Sequence, residues 1–380
     1  MNEIQYELGG KSFDMRIGKV VKIACIVLAV IFIVILGYVA YVFLTYQRIE
    51  DNQELDIYSK GEVNKQEVSL NTEYSVLTYN IGFGAYSFDY SFFMDGGKYS
   101  RAYNKQAVID NVNGSLEIIK NQDADFVFLQ EVDLSATRSY GVNENEMILE
   151  ELNNFSSVFA INYDSAYLMY PILEPHGKSK AGISTIAKIS IVDSVRRSLP
   201  IDTSVYKLID LDRCYTKSRL KVENGKYLCL YNVHLSAYTK DESIVENQIK
   251  MLSEDMRSEY EAGNYIISGG DFNQDLLGDS PSIFNTPTIE ENWAKPFPSN
   301  LLPSGITVAY DQLTDEMRAA LTPSCRNADA PYNKETSFVT MVDGFLISDN
   351  VKLNNIETID NNFLYSDHNP VMMKFQLISE

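Results

Sequence analysis

The chain has 380 residues, with 52 acidic against 32 basic side chains and a formal net charge of −20. That length suits one large domain behind a membrane anchor. An acidic surface repels polyanions unless a local basic groove compensates, which weighs against long duplex DNA as the main substrate.

The first predicted element is a membrane-spanning helix over residues 23–46. Lys22 is the last charge before an uncharged stretch rich in Ile, Val, Leu and Ala. At ~1.5 Å per residue that stretch crosses a ~30 Å hydrocarbon core. A cleaved signal peptide has an apolar region of roughly 7–15 residues. This run is longer and ends in Tyr41, Phe43 and Tyr46, aromatics that suit a membrane interface. Lys11, Arg16, Lys19 and Lys22 precede it, whereas Arg48 is followed by Glu50, Asp51, Glu54 and Asp56. The positive-inside bias therefore predicts a single-pass cell-membrane protein with residues 1–22 as a cytosolic tail and the bulk of the chain extracellular.

Residues 47–70 are polar and read as a juxtamembrane linker, with one large domain over 71–380. Strands are predicted at Tyr74–Tyr79, Asp125–Leu129, Ser156–Asn162, Gly182–Ala187, Ile189–Arg196, Tyr215–Val222, Tyr227–Val233, Tyr265–Ser268, Phe338–Ile347 and Val371–Leu377. Asn224-Gly225 is a hairpin signal. Helices are predicted at Lys105–Asn121, where Val108, Ile109, Val112, Leu116 and Ile119 recur at three- and four-residue steps, at Glu144–Leu152 and at Glu242–Tyr260. Asp279–Arg326 holds most of the prolines and the single Trp, and reads as an irregular insertion. Strands flanked by helices, with several hairpins, suggest two sheets packed face to face with helices outside.

Polar, chargeable residues stand at the ends of buried strands: Asn80, Glu131, His234, Asp271 and Asn273, Asp343, and Asp367-His368. Such residues contribute nothing to a core and sit on the rim, where loops build sites. Two of the three histidines are among them. Asp271 and Asn273 share a face if the segment is extended, and an Asx-turn is the structural alternative. Carboxylates, a carboxamide and imidazoles on one rim make a hard-cation site beside a general acid/base. Phosphoester hydrolysis needs a Lewis acid, a positioned water and donors for developing charge. Oxygen ligands suit Mg²⁺, or Mn²⁺ in its place. Cys214 and Cys325 are the cysteines that could pair outside the cell, and the sequence does not decide it.

The strings Leu77-Thr78-Tyr79-Asn80, Leu129-Gln130-Glu131, Asn232-Val233-His234-Leu235, Gly270-Asp271-Phe272-Asn273, Val342-Asp343-Gly344-Phe345 and Ser366-Asp367-His368 resemble, in order, those of the endonuclease/exonuclease/phosphatase (DNase I-like) superfamily. The resemblance covers essentially Glu73–Glu380. It implies a four-layer α/β/β/α sandwich with the site at one edge of the two sheets. It also implies roles. Glu131 would bind the divalent metal, with Asn80 close to it and Asp367 beside it. Asp271 would orient or deprotonate the attacking water, and Asn273 would hold a phosphate oxygen or the metal. His368 would act as acid/base with Asp343 as its orienter, and His234 would stabilise charge on the phosphate. Asn232 joins Asn273 as a phosphate or substrate contact.

Lys178 and Lys180 lie in a Gly/Ser loop before a strand, where the family often contacts phosphate; a solvated loop is the alternative. Arg101 and Arg138 follow the first two motifs and are within conceivable reach. His176 is expected at the surface. Phe88–Gly97, with Phe92-Phe93, is either a substrate-facing lip or a packed loop. The expected function is a membrane-tethered, extracellular, Mg²⁺-dependent phosphoesterase acting on a lipid headgroup, a small phosphate ester or nucleic acid. An extracellular nuclease and a binding protein that kept the fold without the chemistry are the rivals. No protein partner is expected.

Overall fold

A computed structural model describes residues 2–208, 210–237, 242–287 and 293–379. The chain divides into two units, residues 1–47 and 48–380. The first is a single helix, α1 (Asn2–Thr45). Within it Lys19–Thr45 has a mean hydropathy of 3.1 and is long and apolar enough to cross a membrane.

The second unit runs β1 (Gln53–Glu54), β2 (Glu73–Asn80), α2 (Lys105–Gln122), β3 (Phe126–Ala136), α3 (Glu144–Glu151), β4 (Ser156–Asp164) and β5 (Ser179–Ala187). It continues through β6 (Asp193–Ser198), β7 (Cys214–Lys221), β8 (Tyr227–His234), α4 (Glu242–Glu261), β9 (Tyr265–Asp271), α5 (Ser280–Ile283) and β10 (Ile306–Val308). It closes with α6 (Asp315–Ala319), β11 (Cys325–Arg326), β12 (Val339–Thr340), β13 (Asp343–Ser348), β14 (Val351–Thr358) and β15 (Val371–Leu377). Among the described residues one sheet has the order β1-β6-β7-β8-β9-β13-β10 and the other β14-β15-β2-β3-β5-β4. β11 and β12 form a small ribbon.

Strand alternation builds the layers. On β3, Phe126 and Phe128 point into the core shared with Leu228, Leu230, Ile267 and Phe345 of the other sheet. Val127 and Leu129 point the other way, onto Val108, Val112, Leu116 and Ile119 of α2. On the opposite face Val245, Ile249, Leu252 and Met256 of α4 cover the seven-stranded sheet. The result is a mixed α/β fold with two large stacked sheets and helices outside, the layering that the motifs imply.

Near one end the space between the sheets turns polar. Gln130 Nε2 donates to Asn232 Oδ1 at 2.8 Å, and Asn232 Nδ2 donates to Ser184 O at 2.9 Å. Thr185 and Thr216 hydroxyls meet at 3.0 Å. This fully bonded layer pins the sheets together directly beneath the rim that carries the site.

Several expectations are corrected here. The stretch 47–70 is not a free linker. Its polar side chains carry no helical or strand signal, but its backbone finds partners: β1 pairs with β6, Tyr58 bridges Ser157, and Val68 is buried and bridges Val222. β3 and β5 extend beyond their apolar runs, and β14, polar on its exposed face, went unread. The insertion over 279–326 contains β10, which pairs with β13 at one sheet edge; residues 288–292 of it lie outside the described residues. All four cysteines are free, with Cys214 on the large sheet and Cys325 on the small ribbon.

Candidate active site

The strand ends bring the predicted residues together by register. β8 and β9 run parallel, with His234 opposite Asp271. β9 and β13 run antiparallel, with Asp271 opposite Asp343. Across the sandwich β2 and β3 run parallel, with Asn80 opposite Gln130. Glu131 follows at a bulge in β3, where the register shifts between Leu129 and Val132. Its φ of 55° is left-handed, an uncommon setting for a glutamate. A bulge re-aims a side chain at the edge of a sheet, and strain of this kind clusters at functional sites. Gly270 (φ +145°) precedes Asp271, and a Cβ there would sit 2.0 Å from Val233 O, so only glycine lets β9 approach β8 so closely.

Asp271 is the hub. Its Oδ2 lies 3.1 Å from Asn80 Nδ2, 3.6 Å from His234 Nε2 and 3.9 Å from His368 Nε2. Its Oδ1 accepts from Asn273 N at 2.9 Å. Burial, with the Asp343 charge adding to it, pushes the Asp271 carboxyl up to about 7, against the opposing pull of His368 and of the bonds from Asn273 and Asn80. His368 Nδ1 lies 2.7 Å from Asp343 Oδ2. Burial disfavours the imidazolium, but the adjacent Asp343 outweighs it and holds the His368 pKa well above the usual histidine range. The two histidines are therefore opposites. Burial and then the Arg213 charge hold His234 well below that range, so it is neutral.

Glu131 and Asp367 are each pushed up, first by burial, and the Asp367 charge raises Glu131 further. Among the described residues neither is in a salt bridge. Asp343 Oδ1 is buried without a hydrogen-bond partner. The positive charges of Arg138, His368 and Arg213 act on Glu131, and those of His368 and Arg326 on Asp367, yet removal from water still leaves both carboxyls raised, a cost that a bound cation would offset. Asp271, Asp343 and His368 also present ligand atoms within 4.8 Å of one another, a group suited to a metal. The 2.7 Å Asp343–His368 contact already satisfies part of that trio. Glu131 and Asp367 make no salt bridge among the described residues, and their oxygen donors fit a hard divalent cation on that side of the site.

Other predicted residues fall differently. Asn80 Oδ1 accepts from Gly82 N at 3.0 Å, while Nδ2 faces Glu131 Oε1 at 3.5 Å and Asp271. Asn80 thus spends its amide on two carboxylates, and its Oδ1 holds the turn at Gly82. Asn273 is also left-handed (φ 52°), and its Nδ2 donates to Leu235 O at 3.0 Å. Asn232 is buried in the inter-sheet layer with its amide consumed, so it cannot meet substrate. Lys178 is exposed on a loop and Lys180 half-buried on β5. Arg138 is buried over the Phe83 ring at 3.9 Å and paired with Asp133 at 2.9 Å, close enough for its charge to act on Glu131. Arg101 Nε donates to Pro175 O at 2.6 Å.

His176 is not at the surface. It is buried with Nδ1 3.0 Å from Ser100 O. Burial, then the charges of Arg138 and Arg101, lowers its pKa from 6.5 to about 4 against the Ser100 contact. A lowered histidine pKa gives stability that is complete above pH 6.5 and lost as pH falls from 6.5 toward 4. At about 1.4 kcal/mol per unit this is ~3 kcal/mol. Denaturant midpoints at pH 7 and pH 4.5 should therefore differ less in His176→Asn than in the parent. Equal differences would contradict this origin of acid sensitivity.

Two site residues were missed in the sequence. Cys325 Sγ lies 3.6 Å from His368 Nε2; burial pushes its thiol up to about 12, so it is an unreactive packing neighbour. Arg213 is buried, with Nε and Nη1 lacking a hydrogen-bond partner among the described residues, and its charge is felt by both Glu131 and His234. Nothing in its local sequence marks it, because it precedes β7 in a loop. Only the β7–β8 pairing, Tyr215 opposite Val233, brings it beside His234.

Carboxylates, a His–Asp pair, a neutral second histidine and a buried arginine thus gather on one edge of an α/β/β/α sandwich. The Endonuclease/Exonuclease/phosphatase family model matches residues 77–368, and the chain belongs to that family. Solved structures share the fold. An endonuclease/exonuclease/phosphatase from Beutenbergia cavernae aligns with a TM-score of 0.53 at 14% identity, over 81% of this chain and 72% of that one. A family protein from Leptotrichia buccalis gives 0.52 at 16%, over 80% and 100%. ANGEL2, a 2′,3′-cyclic phosphatase in complex with adenosine-2′,3′-vanadate, gives 0.53 at 17%, over 86% and 99%. No curated protein matches the chain in sequence.

Proposed function

We propose that this protein is a membrane-tethered, extracellular, divalent-metal-dependent phosphoesterase. The observation that carries the reading is Asp271, a buried carboxylate bracketed by Asn80, His234 and His368. Glu131 and Asp367 would hold Mg²⁺ or Mn²⁺. When bound, that ion supplies Lewis-acid polarisation of the phosphoryl oxygens. Asp271, poised near neutrality, accepts the proton of the attacking water. Asn80 keeps its carboxylate aimed. His368, charged because Asp343 stabilises the imidazolium, donates to the leaving group or to a phosphoryl oxygen. Neutral His234 and the side chain of Asn273 orient the phosphate. Arg213, whose Nε and Nη1 have no hydrogen-bond partner among the described residues, supplies a fixed positive charge toward the phosphate.

Replacing Arg213 by Met keeps its bulk and removes that charge. Activity should fall on the order of 10²-fold, with folding retained, because the change removes a buried charge and introduces none. Unchanged activity would remove Arg213 from the site. The substrate class is read from a panel on the full chain in detergent: plasmid DNA, RNA, sphingomyelin, inositol phosphates and a generic phosphodiester. The acidic surface favours the small or lipid-borne esters over the polymers. Preference for plasmid DNA or RNA would establish the nuclease alternative, and no turnover of any ester would favour the non-catalytic one.

The extracellular placement rests on the one-sided basic residues before the span. Protease added to intact cells should remove the domain. Full protection, with accessible controls digested, would reverse the orientation.

A further inference from the structure

The connection from β4 to β5 is a hydrogen-bonded hairpin with an apolar tip. Leu168 and Gly177 exchange backbone hydrogen bonds at 3.0 Å in each direction, and His176 N donates to Tyr170 O at 3.1 Å. Its flank is anchored, with Ser100 Oγ donating to Glu174 O and Tyr170 packed on Phe93 at 5.7 Å. The tip points to solvent: Tyr170 is 69% exposed, Ile172 84% and Leu173 99%. Met94, 71% exposed, follows Phe93 beneath it. Phe92, a candidate lip in the sequence, is instead buried as the floor of this feature. A backbone this well satisfied, carrying apolar side chains this exposed, is the kind of feature that marks an interaction surface.

Its place on the fold says what it docks on. β5 begins at Ser179, opposite Ala136, beyond Glu131 on β3, so the hairpin stands on the catalytic rim. The chain enters the domain on that same rim. Ile49 N donates to Asp212 Oδ2 at 2.6 Å, and Ser198 Oγ donates to Ile49 O at 3.0 Å. Ser198 pairs with Cys214 and Tyr215 with Val233, at the His234 end of the sheet. Arg48 follows the apolar span Lys19–Thr45 within a few residues of sequence, so a bilayer that holds the span keeps the domain tethered within reach of its surface. With a net charge of −20, attraction to anionic headgroups is not what seats the domain, and apolar insertion is left to do so.

We propose that the hairpin over 167–177 is a membrane-seating element whose Ile172–Leu173 tip enters the interfacial layer of the bilayer. It turns the catalytic rim toward the lipid surface, so the phosphoester taken is one carried on a lipid headgroup. The substrate part rests on the phosphoesterase reading; the seating does not.

The test uses the full chain in phosphatidylcholine vesicles, with Cys25→Ser and a single NBD label at Leu173→Cys. Lys352→Cys, exposed on β14 at the far end of the sheet, is the control. Label at position 173 should emit in the blue and be quenched by nitroxide lipids, and label at 352 should emit as in water and be quenched by iodide. Water-like emission at both positions overturns the proposal. So does blue emission at 173 that nitroxide lipids leave unquenched, which would mean a protein or a second copy covers the tip. In a second arm Ile172→Asp/Leu173→Asp should slow hydrolysis of phosphatidyl-p-nitrophenol in the vesicles about tenfold or more, with soluble bis(p-nitrophenyl) phosphate changed by less than about twofold. Equal loss on both would make the tip structural. Lipid quenching at 173 in a protein that turns over neither ester would leave the seating standing and sink the phosphoesterase reading.

Discussion

The double variant Asp343→Asn/His368→Ala is expected to be hardly slower than His368→Ala alone. His368 Nδ1 and Asp343 Oδ2 are 2.7 Å apart in a buried site, and the carboxylate both fixes the ring and keeps it charged. His368→Ala removes the proton carrier, at a cost on the order of 10²–10⁴ in rate. Asp343→Asn leaves the ring but favours the wrong tautomer and stops stabilising the imidazolium. Residues that act as a unit are strongly non-additive, so the second loss has little left to remove. His234 is held neutral and faces Asp271 from another strand. Its loss should add to that of the pair. Strict additivity of Asp343→Asn with His368→Ala, measured by steady-state rates, would mean the two do not act together.

Glu131→Gln should have a comparably large effect, of order 10²–10³ in rate, by removing a negative charge while keeping shape. The carboxyl is destabilised by burial and by Asp367, an arrangement that a cation relieves. A readout independent of turnover follows. Ligands that bind only the folded state raise the thermal midpoint in proportion to occupancy. Mg²⁺ should raise the midpoint of the parent and raise that of Glu131→Gln much less. Equal shifts would move the cation site elsewhere, with the Asp271–Asp343–His368 trio the next candidate.

The strand-end logic worked where a strand is buried on both faces. Phe126–Leu129 and Tyr265–Ser268 are apolar on both sides because one face meets the other sheet and the other meets a helix. The polar residue that ends each run then marks the rim. The same logic hid what is polar within the fold. β14 lies at an edge and alternates with exposed Lys352 and Glu357, so its apolar signal is weak. The entry segment packs through backbone pairing, which leaves no mark on composition. Asn232 sits in a motif with His234 and, two residues before it on β8, shares its face, yet it lies one step deeper in the sheet and serves the inter-sheet layer while His234 ends the strand at the rim. Arg213 and Cys325 reach the site through strand pairing and a ribbon contact, neither of which is local in sequence. In sequence Phe88–Gly97 is open to two readings, a lip or a packed loop, and Phe92 follows the second. Phe92 has the composition of a lip but is buried, while Ile172 and Leu173, flanked by prolines, are the exposed pair.

The most direct test of the central claim is p-nitrophenol release from bis(p-nitrophenyl) phosphate by the full-length protein in detergent. It is followed with Mg²⁺, with chelator, and with Asp271→Asn in Mg²⁺. Metal-dependent turnover that chelator abolishes and Mg²⁺ restores is expected, together with a loss of order 10³-fold or more in a folded Asp271→Asn protein. Turnover that survives chelator, or that Asp271→Asn leaves intact, would contradict a metal-dependent phosphoesterase centred on Asp271.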